Sequence, residues 1–192
     1  MLYKFGRVVL SVLFKLLYFY KIIGRENIPP GGFLACANHT GLSDPIFVGI
    51  ALDTKVKLHF MAKVELFKNK FVAFIVKRLH AFPVKRGEAD MRAVKESIRI
   101  LKNNERLLIF PEGTRNSDDG AKAGAGMLAL HTGCEILPIY ISPGRKPFRK
   151  VKVIIGKSYK AEPGGEKASA AKYHKVADEI LRRVYELGAA KS

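Results

Sequence analysis

Two short stretches of this 192-residue chain carry residue types that do chemistry. The first is Asn38-His39-Thr40-Gly41-Leu42-Ser43-Asp44, which puts an imidazole and a carboxylate within reach of each other across a loop. A carboxylate bonded to one imidazole nitrogen fixes the tautomer and supports the imidazolium that forms when the other nitrogen takes a proton. His39 is thus a candidate general base oriented by Asp44. By itself His-x4-Asp fits a solvent-facing histidine beside a helix cap as well, and Ser43 reads as a turn or cap residue.

The second stretch is Phe110-Pro111-Glu112-Gly113-Thr114-Arg115. Gly113 permits close backbone approach, Thr114 offers a hydroxyl, and Arg115 makes a bidentate contact with phosphate. Two roles are open to Glu112: binding a substrate hydroxyl, or holding Arg115 by a salt bridge. Arg86 and Lys122 either add positive charge to the same pocket or sit on solvated surface. There is no Gly-x-Ser-x-Gly elbow, and neither Cys36 nor Cys134 stands where a covalent nucleophile belongs. This points to a histidine that activates the substrate's own hydroxyl beside an anionic group. His59, His80, His131 and His174 show no ligand spacing, so neither a metal nor a cofactor is expected.

Positioning these groups takes strands that end where they begin. Phe33 to Ala37 reads as a buried strand delivering Asn38 and His39, and Leu107 to Phe110 as another that releases the Glu112 loop. Asp44-Pro45 reads as a helix start, with Asp44 as the cap and the helix running to Leu52. Further strands are expected over Lys55 to Met61, Ala81 to Val84, Ile136 to Ile141 and Val151 to Ile155. Helices are expected over Val64 to Leu79, from Met91 to Leu101 with Met91, Val94, Ile98 and Leu101 on its apolar face, and from Ala123 to Thr132. Tyr173, Val176, Ala177, Ile180, Leu181, Val184 and Leu187 form the apolar face of a closing helix. Glu162 to Glu166 reads as a late loop. Strands separated by helices predict an α/β fold, a single-domain αβ sandwich with a largely parallel sheet flanked by helices.

Lys plus Arg number 34 against 17 Asp plus Glu, a formal charge of +17 that draws anionic partners. Without Trp or any basic block longer than two residues, nucleic acid is disfavoured. Cys36 and Cys134, unpaired in spacing, read as buried free thiols suited to a reducing compartment. Residues 1–23 are apolar, but Lys4, Arg7, Lys15 and Lys21 interrupt every long run. On a helix of about 100° per residue these cations and Ser11 share an arc of about 120°. This predicts an amphipathic helix lying on an anionic membrane, with a core helix and a membrane span as the rival readings, and residues 24–192 as the folded domain.

Asn38-His39-x4-Asp44 and Phe110-Pro111-Glu112-Gly113-Thr114-Arg115 together resemble the 1-acylglycerol-3-phosphate acyltransferases, within the wider glycerolipid acyltransferases. Gly24 to Pro30, Phe82 to Arg86 and Ile136 to Ile139 resemble further blocks of that family. The resemblance implies acyl transfer from a thioester, on coenzyme A or acyl carrier protein, to the sn-2 hydroxyl of lysophosphatidic acid, giving phosphatidic acid. It implies that His39 is the base and Asp44 its orienter. It further implies that Glu112, Gly113, Thr114 and Arg115, with Arg86 and Lys122, hold the acceptor's glycerol phosphate. The expected location is the cytoplasmic face of the cell membrane, peripheral or monotopic. The rival readings are the same chemistry on another lysophospholipid or on glycerol 3-phosphate, and a non-catalytic basic lipid-binding protein.

Overall fold

The computed structural model of the chain describes residues 14, 16–52, 57–85, 90–113, 121–144, 146–162 and 169–190. Seven strands form one sheet: β1 (Phe19–Ile23), β2 (Phe33–Ala37), β3 (Leu58–Lys63), β4 (Ala81–Val84), β5 (Arg106–Ile109), β6 (Glu135–Ile141) and β7 (Lys150–Ile155). Their spatial order is β1-β7-β6-β2-β5-β3-β4, and every pairing is parallel except β6 with β7. The helices are α1 (Asp44–Leu52), α2 (Lys70–Arg78), α3 (Met91–Lys102), α4 (Gly124–Thr132) and α5 (Ala170–Ala189).

The central strand β2 explains the layering. All five of its residues are buried, because both faces of the sheet are covered. Phe33, Ala35 and Ala37 point into one core with Phe47, Val48 and Ala51 of α1. Leu34 and Cys36 point into the other, with Ile100 of α3, Leu128 of α4 and Ile180 of α5. The α4–α5 contact is close enough that a Cβ on Gly126 would lie 2.0 Å from the Tyr173 carbonyl oxygen. Cys36 and Cys134 are both free, and burial pushes the Cys36 thiol well above its ordinary pKa.

The αβ sandwich agrees with the sequence reading, but its start does not. The amphipathic helix expected over residues 1–23 gives way to strand before Ile23: Phe19–Ile23 is β1, paired in parallel with β7. Aromatic and β-branched residues suit a strand, and the open edge of β7 offers it backbone hydrogen bonds. The earlier part of that expected helix, residues 1–13 and 15, lies outside the described residues.

Two helices also differ from expectation. The segment expected as one helix from Val64 to Leu79 is a 3-10 turn, Val64–Phe67, followed by α2. The Asn69 side chain divides them by accepting hydrogen bonds from the backbone N–H groups of Phe71 (3.0 Å) and Val72 (3.1 Å). In α3, Met91 was expected on the apolar face but is exposed, and the buried residues are Ala93, Ser97, Ile100 and Leu101.

Candidate active site

The site lies where two adjacent parallel strands, β2 and β5, release their chains. From β2 the chain turns into α1 on one face of the sheet; after β5 the next helix is α4, on the other face. Connections leaving in opposite directions open a crevice at the carboxyl ends of the strands, where ligands bind in open α/β sheets. His39 leaves β2 into this crevice and Glu112 follows β5 into it. Both are buried.

Asn38 fixes the first loop. Its amide donates to the Ile141 carbonyl (2.9 Å) and accepts from the Ile141 N–H (2.8 Å), extending the β2–β6 ladder by a side chain. The next residue is thereby held at a set height above the sheet. His39 Nδ1 lies 3.0 Å from Asp44 Oδ2, and the same oxygen accepts from the N–H groups of Thr40 (2.8 Å) and Gly41 (2.9 Å). Asp44 is the first residue of α1, where the positive end of the helix dipole favours a carboxylate. Its role differs from the cap that was expected. The Ser43 carbonyl accepts the helix bonds of Ile46 and Phe47, while Oδ2 of Asp44 turns back to the loop and the imidazole. With Nδ1 on the carboxylate side, Nε2 is the nitrogen left to meet a substrate proton.

The second loop supports the first from below. The Phe110 ring stacks on the imidazole, with centroids 4.1 Å apart and planes at 19°. Glu112 Oε2 accepts from the His39 backbone N–H (3.3 Å), and Oε1 accepts from the Tyr185 hydroxyl (2.6 Å). Both Glu112 roles raised by the sequence thus miss a contact that the fold makes: the carboxylate ties the two motif loops together. Burial, and then the bond to Glu112, push the Tyr185 hydroxyl far above the ordinary phenol range, so it stays protonated as the donor.

Gly113 donates to the Phe110 carbonyl (2.9 Å) and has a φ of +73°, which favours glycine. A Cβ there would meet Lys122 Cγ at 3.0 Å, so the lysine stem lies against this glycine. Lys122 is anchored by its own N–H on the Pro111 carbonyl (2.8 Å). His39, Asp44, Glu112, Gly113 and Lys122 therefore converge. Arg86, Thr114 and Arg115 lie outside the described residues. Tyr185 was missed by sequence reasoning; it sits on α5, 73 residues beyond Glu112, with no local motif to mark it. Among the described residues no three His, Cys, Asp or Glu side chains come together as a metal site.

A buried imidazole–carboxylate pair at the strand ends of an αβ sandwich, beside a glycine-containing loop with a lysine, is an arrangement that can activate a hydroxyl next to an anion. The chain belongs to the Acyltransferase family, whose model matches residues 20–142. It is 33% identical over 193 residues to a 1-acyl-sn-glycerol-3-phosphate acyltransferase of Bacillus subtilis, covering 97% of this chain and 96% of that one. A Streptococcus pneumoniae protein of the same name is 34% identical over 113 residues, 58% of this chain and 42% of that protein. The crystal structure of the 1-acyl-sn-glycerophosphate acyltransferase PlsC from Thermotoga maritima superposes with a TM-score of 0.66 at 30% identity, covering 97% of this chain and 78% of that one. The family match ends before α5, and so before Tyr185.

Proposed function

We propose that this protein transfers a fatty acyl group from a thioester, acyl-CoA or acyl carrier protein, to the sn-2 hydroxyl of 1-acylglycerol-3-phosphate, giving phosphatidic acid. The observation that carries the reading is the buried His39–Asp44 pair at 3.0 Å, with its Nδ1 engaged and the Glu112 loop beneath it. The names of the Bacillus and Thermotoga relatives support the choice of acceptor.

In this mechanism His39 Nε2 takes the acceptor's hydroxyl proton while Asp44 stabilises the imidazolium. The oxygen attacks the thioester carbonyl directly, forming a C–O bond. The tetrahedral intermediate then expels the thiolate as the C–S bond breaks, and the imidazolium returns its proton to the sulfur. No acyl-enzyme forms. Lys122, with Arg86, Thr114 and Arg115, supplies the anion-binding groups for the acceptor phosphate, and Gly113 lets that phosphate approach the backbone. The reaction takes place on the cytoplasmic face of the cell membrane, where the residues ahead of β1 provide an interfacial anchor.

The test is thiol release from an acyl thioester, dependent on lysophosphatidic acid. Wild-type protein releases thiol and His39→Ala does not; release surviving unchanged in His39→Ala sinks the assignment. Arg115→Ala is expected to raise the KM for phosphate-bearing acceptors far more than for the thioester. Equal losses for both remove Arg115 from the phosphate site.

A further inference from the structure

Ten large apolar side chains are exposed among the described residues, and their distribution is not scattered. Because β7 runs antiparallel to β6, and β1 parallel to β7, the starts of β1 and β7 lie at the same end of the sheet as the carboxyl ends of β2 to β6. Leu16 and Phe19 lead into β1 at that end, and Phe148 (67% exposed) precedes β7. Leu42 (77%) sits in the loop after β2, and Leu66 and Phe71 (73%) follow β3. Met91 opens α3 after β4, and Tyr185 stands beside Glu112. The two that remain, Phe74 and Ile75, continue the Phe71 stripe down α2 at the i+3 and i+4 positions.

Single exposed apolar residues are ordinary, but a rim of them at one end marks an interaction surface. Its charge says what the surface meets. Lys68 and Lys70 precede Phe71, Lys85 follows β4, and Lys146, Arg149 and Lys150 surround Phe148, all exposed. A groove lined by Leu16, Tyr18, Phe19 and Tyr20 with Lys21 and Lys150 runs along the outer strand. The carboxylates that reach solvent at this end, among the described residues, are Glu65, Asp90 and Glu186; Asp90 accepts from the Lys85, Arg92 and Ala93 N–H groups, and Glu186 is paired with Arg182.

We propose that this rim is a membrane-docking surface for anionic lipid, built by the folded domain itself at both edges of the sheet, with His39 between the two apolar patches. The α2 patch and the β1–β7 patch insert to headgroup depth while the lysines meet lipid phosphates. A second copy of the chain is the wrong occupant, since it sets cations against cations. The proposal rests on a lipid acceptor, because only a substrate held in a bilayer calls for docking around the site.

The chain has no Trp, so single-Trp variants report each position cleanly. Phe71→Trp and Phe148→Trp test the two patches. Asn103→Trp, exposed beyond the far end of α3, is the control. The probe is a vesicle of phosphatidylcholine with phosphatidylglycerol, with and without brominated acyl chains. The expected result is a blue shift and bromine quenching at 71 and 148 and neither at 103. Separately, Phe71→Ser is expected to weaken vesicle partition about tenfold. No quenching at 71 and 148, or equal quenching at 103, overturns the proposal. So does a blue shift at 71 that grows with protein concentration without vesicles, which assigns the rim to a second copy. Acyl transfer to a short-chain acceptor free in solution keeps the two readings apart. Transfer without quenching rejects docking alone, and quenching without transfer rejects the enzymatic reading alone.

Discussion

Two histidine–carboxylate pairs in this molecule have the same contact distance. His39 Nδ1 lies 3.0 Å from Asp44 Oδ2 at the carboxyl ends of the strands, and His59 Nε2 lies 3.0 Å from Glu105 Oε2 at the opposite end. The distance therefore does not distinguish a reactive pair. In the first, the carboxylate is fully buried, its Oδ2 also accepts two backbone N–H groups, and an aromatic ring holds the imidazole plane. In the second, Glu105 is partly exposed and His59 Nε2 lies off the line a hydrogen bond needs. Burial, opposed by Glu105 but helped by Lys57 and Arg99, lowers the His59 pKa. A fixed carboxylate in a crevice holds its imidazole in one orientation; a loose one at the closed end of the sheet leaves a histidine in the wall whose pKa burial lowers.

The sharpest way to break this contrast is to remove each imidazole. His39→Ala is expected to lower kcat by at least about 10³-fold, the upper part of the range for a lost general base. His59→Ala should leave kcat within about twofold, since it reaches no crevice at a strand carboxyl end. Comparable losses in steady-state thiol release would mean that the two pairs are not different in kind. Next in size is the orienting carboxylate. Asp44→Asn keeps the shape but places an amide against Nδ1, and kcat should fall about 10²-fold or more, whereas Glu105→Gln should barely register.

Smaller again is the hydroxyl that holds the second loop. Tyr185→Phe removes the donor to Glu112 Oε1 and leaves the ring against Tyr140, 6.2 Å between centroids. Losing a hydrogen bond to a carboxylate costs about 1.5–3 kcal/mol of stability, so the melting temperature should fall by several degrees, and the loosened Glu112 loop should lower kcat/KM about tenfold. A loss in thermal stability with kinetics intact would make Tyr185 a packing residue only.

Much of this site was legible because its chemistry is local. Asn38, His39 and Asp44 occupy one loop, Glu112 and Gly113 another, and each follows a short apolar run that reads as a buried strand. Ala81–Val84 was read with its observed bounds for the same reason. What escaped depends on distant partners. Phe19–Ile23 is apolar enough for a helix, and only the edge of β7, more than a hundred residues later, makes it a strand. Tyr185 is one polar group on an otherwise ordinary amphipathic helix, and its meaning comes from α5 packing over β6 beside Glu112. Asn69 was different: its capping role is local, but Phe and Lys residues on both sides continue a helical period and hide it.

The smallest expected effect separates the two ends by pH. His59 and His80 face each other at 5.5 Å, and burial is the first cause lowering both pKa values, with Lys57 adding to it for each. Glu105 pulls the other way on both, and Arg99 lowers His59 further. The unfolded chain, with His near about 6.5, therefore binds more protons than the folded one in the window below that value. By linkage, stability rises with pH there: the contribution is fully present above about 6.5 and declines as pH falls toward the folded pKa values. His80 has a φ of +61°, which Asn tolerates well, so His80→Asn with His59→Gln removes both titrations without straining the backbone. The melting temperature of the wild type should fall on acidification through this window, and that of the double variant should fall less. The pH profile of kcat, which belongs to the other end of the sheet, should be the same in both proteins. An unchanged melting slope would show that the closed-end histidines do not feel their burial. A shifted kcat profile would show instead that the two ends of the sheet are coupled.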